Sequence, residues 1–200
     1  MKSIYLSVVV VFIFSTSIFA GGFGYGQRDV ISDPIQNKFY IGINKTSKGM
    51  FSKSEKVDFE IANYLIYDPT SGKKKLIFPE DFDSPITFIV FEFGYDSIKH
   101  RMNLSTDIGY ERNYGYTVDN TINNFGISNR AAVDKILFIV NPNGGAPGLR
   151  EIWTSKKDGS DLKKIDSIKI EDNWHIDLLN QKIRIIIQKG KNTEIKEHTW

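Results

Sequence analysis

The stretch from Lys135 to Ile165, KILFIVNPNGGAPGLREIWTSKKDGSDLKKI, constrains the fold more than any other, because it reads only as strand, turn, strand, turn, strand. Ile136 to Val140 is an unbroken apolar run of strand length, and the Asn, Pro and Gly residues from Asn141 to Gly148 force a reversal. Glu151 to Thr154 predicts a second strand. Lys157-Asp158-Gly159-Ser160 predicts a tight turn, since Asp-Gly accepts the positive φ that hairpin turns need, and Leu162 to Ile165 follows as a third strand. An antiparallel meander of this kind places the chain in the all-β class.

The same punctuation recurs elsewhere. Tyr64 to Tyr67, the turn Asp68-Pro69-Thr70-Ser71-Gly72, and Lys75 to Phe78 predict a hairpin, with Pro at the first turn corner and Gly at its end. Upstream of it, Glu55 to Ile66 fits both periods, since Val57, Phe59 and Ile61 alternate while Val57, Ile61, Tyr64 and Leu65 share a helical face; the adjoining hairpin favours strand. Phe39 to Ile43 predicts the first strand of the domain, and Thr46 to Lys56 reads as a polar loop. The run Ile86 to Phe93 predicts a strand buried on both faces, with Glu92 its only charge. Arg101 to Leu104, Tyr114 to Val118, Lys182 to Gln188 and Glu194 to Thr199 are further strand candidates. Trp153, Trp174, Phe88, Val90, Phe138, Val140 and Ile185 are the expected core.

The unit Ile136 to Ile165 resembles one blade of a TolB-type, WD-repeat-like β-propeller. The resemblance rests on Ile152-Trp153, on the Asp158-Gly159-Ser160 turn, and on Asn173-Trp174-His175-Ile176-Asp177, which stands where that family's entry strand opens the next blade. The chain departs from the family where His175 and Ile176 replace Ser-Pro and Leu178 replaces Gly. The hairpin at Tyr64 to Phe78 is similar to the outer two strands of such a blade. The resemblance implies a small or incomplete propeller whose last unit takes its missing strand from near Phe39, and a noncatalytic protein that offers its loops to a protein or envelope component. A β-sandwich is the alternative architecture.

Residues 1–20 have the layout of a secretory leader, with Lys2, an apolar core from Ile4 to Phe14, and a small, polar segment ending at Ala20. That core is shorter than the ~20 apolar residues of a spanning helix, so the expected mature chain has no membrane span. Gly21 to Pro34 reads as a flexible, glycine-rich lead-in, and residues 35–200 as one domain. The chain has no cysteine, so neither a disulfide nor a lipid-bearing cysteine is available and the domain depends on its core. Export to a bacterial periplasm or exterior is the expectation. Losing Lys2 with the leader brings Lys and Arg from 26 to 25 against 24 acidic residues, and this neutrality argues against a nucleic-acid partner.

Chemical motifs are sparse. His100, His175 and His198 lack metal-ligand spacing, so no metal and no cofactor are expected. The serines form no nucleophile elbow. A small secreted hydrolase with Glu92, Asp96 or His175 as acid and base groups is the competing function. The candidate binding residues are Tyr95, Arg101, Tyr110, Arg112, Tyr114 and Tyr116, where tyrosines interleave with arginines from Gly94 to Asn129 together with Phe125 and Arg130. Tyr supplies large contact area at low entropy cost and Arg makes forked hydrogen bonds, which suits an envelope or extracellular protein partner.

Overall fold

The computed structural model describes residues 30–48, 55–97, 101–105 and 129–200, and every regular element among them is a β-strand. In chain order these are β1 (Val30–Asp33), β2 (Lys38–Lys48), β3 (Glu55–Tyr67), β4 (Lys74–Leu76), β5 (Ile86–Asp96), β6 (Arg101–Leu104), β7 (Ile136–Val140), β8 (Leu149–Ser155), β9 (Lys163–Lys169), β10 (Asn173–Asp177), β11 (Lys182–Lys189) and β12 (Asn192–Thr199). Nine strands make one antiparallel sheet in the order β1-β2-β3-β5-β7-β8-β9, with β4 on β3 and β6 on β5, and the other three make a second sheet, β10-β11-β12. The all-β, antiparallel reading of the sequence holds.

The meander from β7 to β9 forms as its punctuation predicts. Phe138 pairs with Trp153 and Glu151 with Ser167. The intervening turn is closed by the Gly159 amide donating to Lys156 O at 2.9 Å, with Gly159 at φ 74°. A Cβ at Gly159 would stand 2.9 Å from Cδ1 of Ile66, so the turn is also pressed against β3. The hairpin of β3 and β4 closes on Asp68, whose Oδ1 accepts the Thr70 and Ser71 amides while Gly72 takes φ 67°.

Three sequence expectations need correction. The end of the stretch read as a lead-in is a strand: β1 pairs with β2, and Ile31 and Asp33 are buried; residues 21–29 of it, and the leader, lie outside the described residues. The polar stretch read as a loop is paired backbone at both ends, Thr46 with Val57 and Lys48 with Glu55, because a ladder needs backbone donors and acceptors rather than apolar side chains. The Phe39 strand pairs with β1 and β3, and among the described residues β12 pairs only with β11, so Phe39 does not complete the last sheet.

Alternation along β5 and β7 places two cores on opposite faces of the same strands. Val90, Leu137 and Ile139, with Ile152 of β8 and Ile168 of β9, pack with Trp174, Ile176, Ile183 and Ile185 of the three-stranded sheet. Ile89, Phe91, Ile136, Phe138 and Val140 pack on the other side with Tyr40 of β2 and Ile61, Tyr64 and Ile66 of β3. β3 joins β5 through a single paired position, Ile61 with Ile86, which lets the sheet fold back over its own middle. Burial on both faces explains why β7 carries five consecutive apolar residues with no polar alternation. Trp174 is buried as expected. Trp153 is only half-buried, against Phe78 and Phe82, and its indole N–H donates to Glu151 at 2.9 Å.

Candidate functional site

The densest polar chemistry among the described residues lies inside the molecule, on the second half of β5. Glu92 is fully buried, with both carboxylate oxygens saturated. Oε2 accepts Arg130 Nη1 at 2.7 Å and the Val133 amide at 2.9 Å, while Oε1 accepts Arg130 Nη2 at 2.7 Å and Trp200 Nε1 at 2.8 Å. A planar guanidinium held on both oxygens is the strongest carboxylate partner a protein offers. Four donors leave Glu92 no free position from which to act as a general acid, so the sequence-level proposal of Glu92 as an acid loses its geometric basis.

Next to it, Lys157 is 1% exposed and extends from the β8–β9 turn into the core. Its Nζ donates to Asp33 Oδ2 at 2.7 Å and to the backbone oxygen of Glu92, and lies 5.3 Å from the centre of the Phe91 ring. Asp33, at the end of β1, receives the Ile35 and Gln36 amides on its other oxygen at 3.0 and 3.2 Å. The Tyr40 hydroxyl donates to Lys157 O at 3.1 Å; burial, and then the charges of Asp33, Asp134 and Asp158, push its pKa well above the usual phenol value. The cluster ties β1, β5, the segment before β7, the β8–β9 turn and Trp200 together.

A second, half-exposed network lies on the three-stranded sheet. Asp166 of β9 accepts Lys196 at 3.1 Å and contacts His198 Nε2 at 3.0 Å, so it bridges the edge of the large sheet to β12. Burial pushes the Asp166 carboxyl up, but hydrogen bonds from His198, the Ser167 amide and Lys196 outweigh it and hold the group below the usual carboxylate range. Asp177 behaves alike, with Asn180 and Arg184 outweighing burial, and Arg184 also reaches Glu197 at 2.7 Å. His175 is half-buried opposite Arg184, between the inward-facing Trp174 and Ile176, so it points away from the interior that holds Glu92. No group of three or more His, Asp or Glu side chains among the described residues is arranged to hold a metal ion.

Of the binding residues named from the sequence, Tyr95 is half-buried against the core between the two sheets, where it packs rather than projects. Arg101 opens β6, opposite Asp96. Tyr110, Arg112, Tyr114 and Tyr116, with Phe125, lie outside the described residues. Arg130, grouped with them as a surface residue, is the clamp on Glu92. No family model, curated protein or solved structure matches the chain.

A different surface emerges from strand register. On the face of β1–β4 that points away from the core, Val30, Ile41, Leu65 and Leu76 line up across four strands as one continuous apolar row. Ser32, Phe39, Tyr67 and Lys74 form the adjacent row, with the Phe39 and Tyr67 rings stacked 6.3 Å apart. Val30 is 50% and Ile43 38% exposed. Sequence alternation shows apolar residues on both faces of β2 and β3, but not which face meets the core and which meets solvent.

Proposed function

We propose that this chain is an exported, noncatalytic binding or scaffold protein of the bacterial envelope or exterior, and that it holds a protein partner on the outer face of β1–β4. The apolar row Val30–Ile41–Leu65–Leu76 carries the reading, because contiguous apolar surface rimmed by polar residues marks interaction sites. The saturation of Glu92 supports a noncatalytic role. Its test is a pair of exposed substitutions, Val30→Asp and Ile43→Asp, in the exported chain. The variants are expected to keep the far-UV spectrum of the wild type and to lose an envelope protein that the wild type retains in a pull-down; retention at the wild-type level would refute the surface.

The TolB-like architecture belongs to the same proposal. Its support is the succession of antiparallel units, β1–β4, then β5 with β7–β9, then β10–β12, packed face to face through two cores as consecutive blades would be. A β-sandwich-type stack is the second reading. It is favoured by the Ile61–Ile86 pair, which continues one ladder from the first unit into the second where blades would be separate sheets.

A further inference from the structure

Lys157 and Asp33 are placed for a reaction as well as for an ion pair. Their side chains are 1% and 0% exposed, with Nζ 2.7 Å from Oδ2. Taking two full charges out of water is costly even when they are paired, and a step that removes both charges relieves that cost. The groups are held in hydrogen-bond contact in a site closed to solvent, which replaces the encounter of two free groups and excludes the water that would reverse the reaction.

We propose that Lys157 and Asp33 condense to an intramolecular amide, a covalent staple between the β8–β9 turn and strand β1. One proton passes from Nζ to Oδ2 along their hydrogen bond, leaving an amine and a carboxylic acid. The nitrogen lone pair then forms a bond to Cγ of Asp33 while the C=O electron pair moves onto Oδ1. The Ile35 and Gln36 amides, already donating to Oδ1 at 3.0 and 3.2 Å, receive the developing oxyanion. A second proton passes from the nitrogen to Oδ2, the Cγ–Oδ2 bond breaks and one water leaves. The third N–H remains on the amide, directed at the Glu92 carbonyl that Nζ already contacts. Neither an oxidant nor any other co-reactant is required. The bond would join residues 124 positions apart in a chain that has no cysteine for a disulfide.

The experiment is an intact-mass measurement on the purified, folded chain after denaturation, followed by tryptic mapping. The expected mass is lower than that of the same uncross-linked polypeptide by one water, with a tryptic peptide containing Asp33 joined to one containing Lys157. Lys157→Met and Lys157→Arg are each expected at full mass; the Arg variant keeps a buried cation opposite Asp33 should the Met variant fail to fold. Folded wild-type chain at full mass, or the same water loss in either Lys157 variant, overturns the proposal.

Discussion

The buried network around Glu92 and the half-exposed network around Asp166 and Asp177 use the same kinds of side chain, but solvent assigns them different weight. In the first, Glu92 and Asp33 have no contact with water, and their charges are balanced by Arg130 and Lys157 inside the protein. In the second, Asp177 is buried, but Arg184 is 25%, His198 28% and Glu197 45% exposed, so water competes for the bonds of Glu197 and Asp166 and salt screens them. Geometry alone does not separate them, since both contain contacts of 2.7 Å. The buried network is expected to matter through the cost of leaving a charge without its partner, and the exposed one through small increments.

Removing a buried partner should have the largest effect. Arg130→Ala leaves the Glu92 carboxylate short of its counter-ion and is expected to cost about 3 to 5 kcal/mol in a urea melt. A loss below about 1 kcal/mol, the scale of ordinary surface changes, would place Glu92 in contact with water and collapse the contrast. Trp200→Phe keeps an aromatic ring but deletes one donor to Oε1 and part of the buried indole, and about 1 to 3 kcal/mol is expected for the unsatisfied acceptor, with the lost packing added to it.

Acid should weaken the exposed network. Asp166 and Asp177 both have folded-state pKa values below 3.8, so their stabilising contribution is present above that value and is lost as pH falls through the lowered ones. Thermal unfolding followed from about pH 5 to about pH 2.5 should show a falling midpoint at the acid end, with a shallower fall in Asp166→Asn. An unchanged slope in that variant would remove Asp166 from the account. The smallest effect is expected for Glu197→Gln, which removes the exposed partner of Arg184 and leaves its bond to buried Asp177 in place: a urea midpoint close to that of the wild type, and closer still in salt. A loss as large as that of Arg130→Ala would show that exposure does not rank the two networks.

Much of the fold was readable because its signals are local. The Asp68 and Asp158 turns use residues that bond to amides two positions on, and Gly72 and Gly159 adopt the positive φ their positions require. Apolar runs at β5 and β7 announced strands, and that of β5 a strand covered on both sides. β1 was harder to see. It is four residues long, alternates exposed and buried positions, and follows a glycine-rich segment, so its only strong evidence is the partner strand β2. Among the site residues, Lys157 reads as a solvated turn lysine because it sits in Lys-Asp-Gly-Ser. Nothing local states that its side chain turns inward to meet a residue 124 positions away.

The sequence by itself determined the class of the fold, most strand positions and the turn chemistry, because hydrophobic period and backbone preference act over a few residues. Tertiary structure alone decided that β3 folds back through Ile61 and Ile86, that the face carrying Ile41 and Leu65 looks outward, and that Asp33, Lys157, Glu92, Arg130 and Trp200 meet. Each of these depends on contacts between distant segments, and the energy that selects them comes from shared burial, which no single stretch of the chain contains.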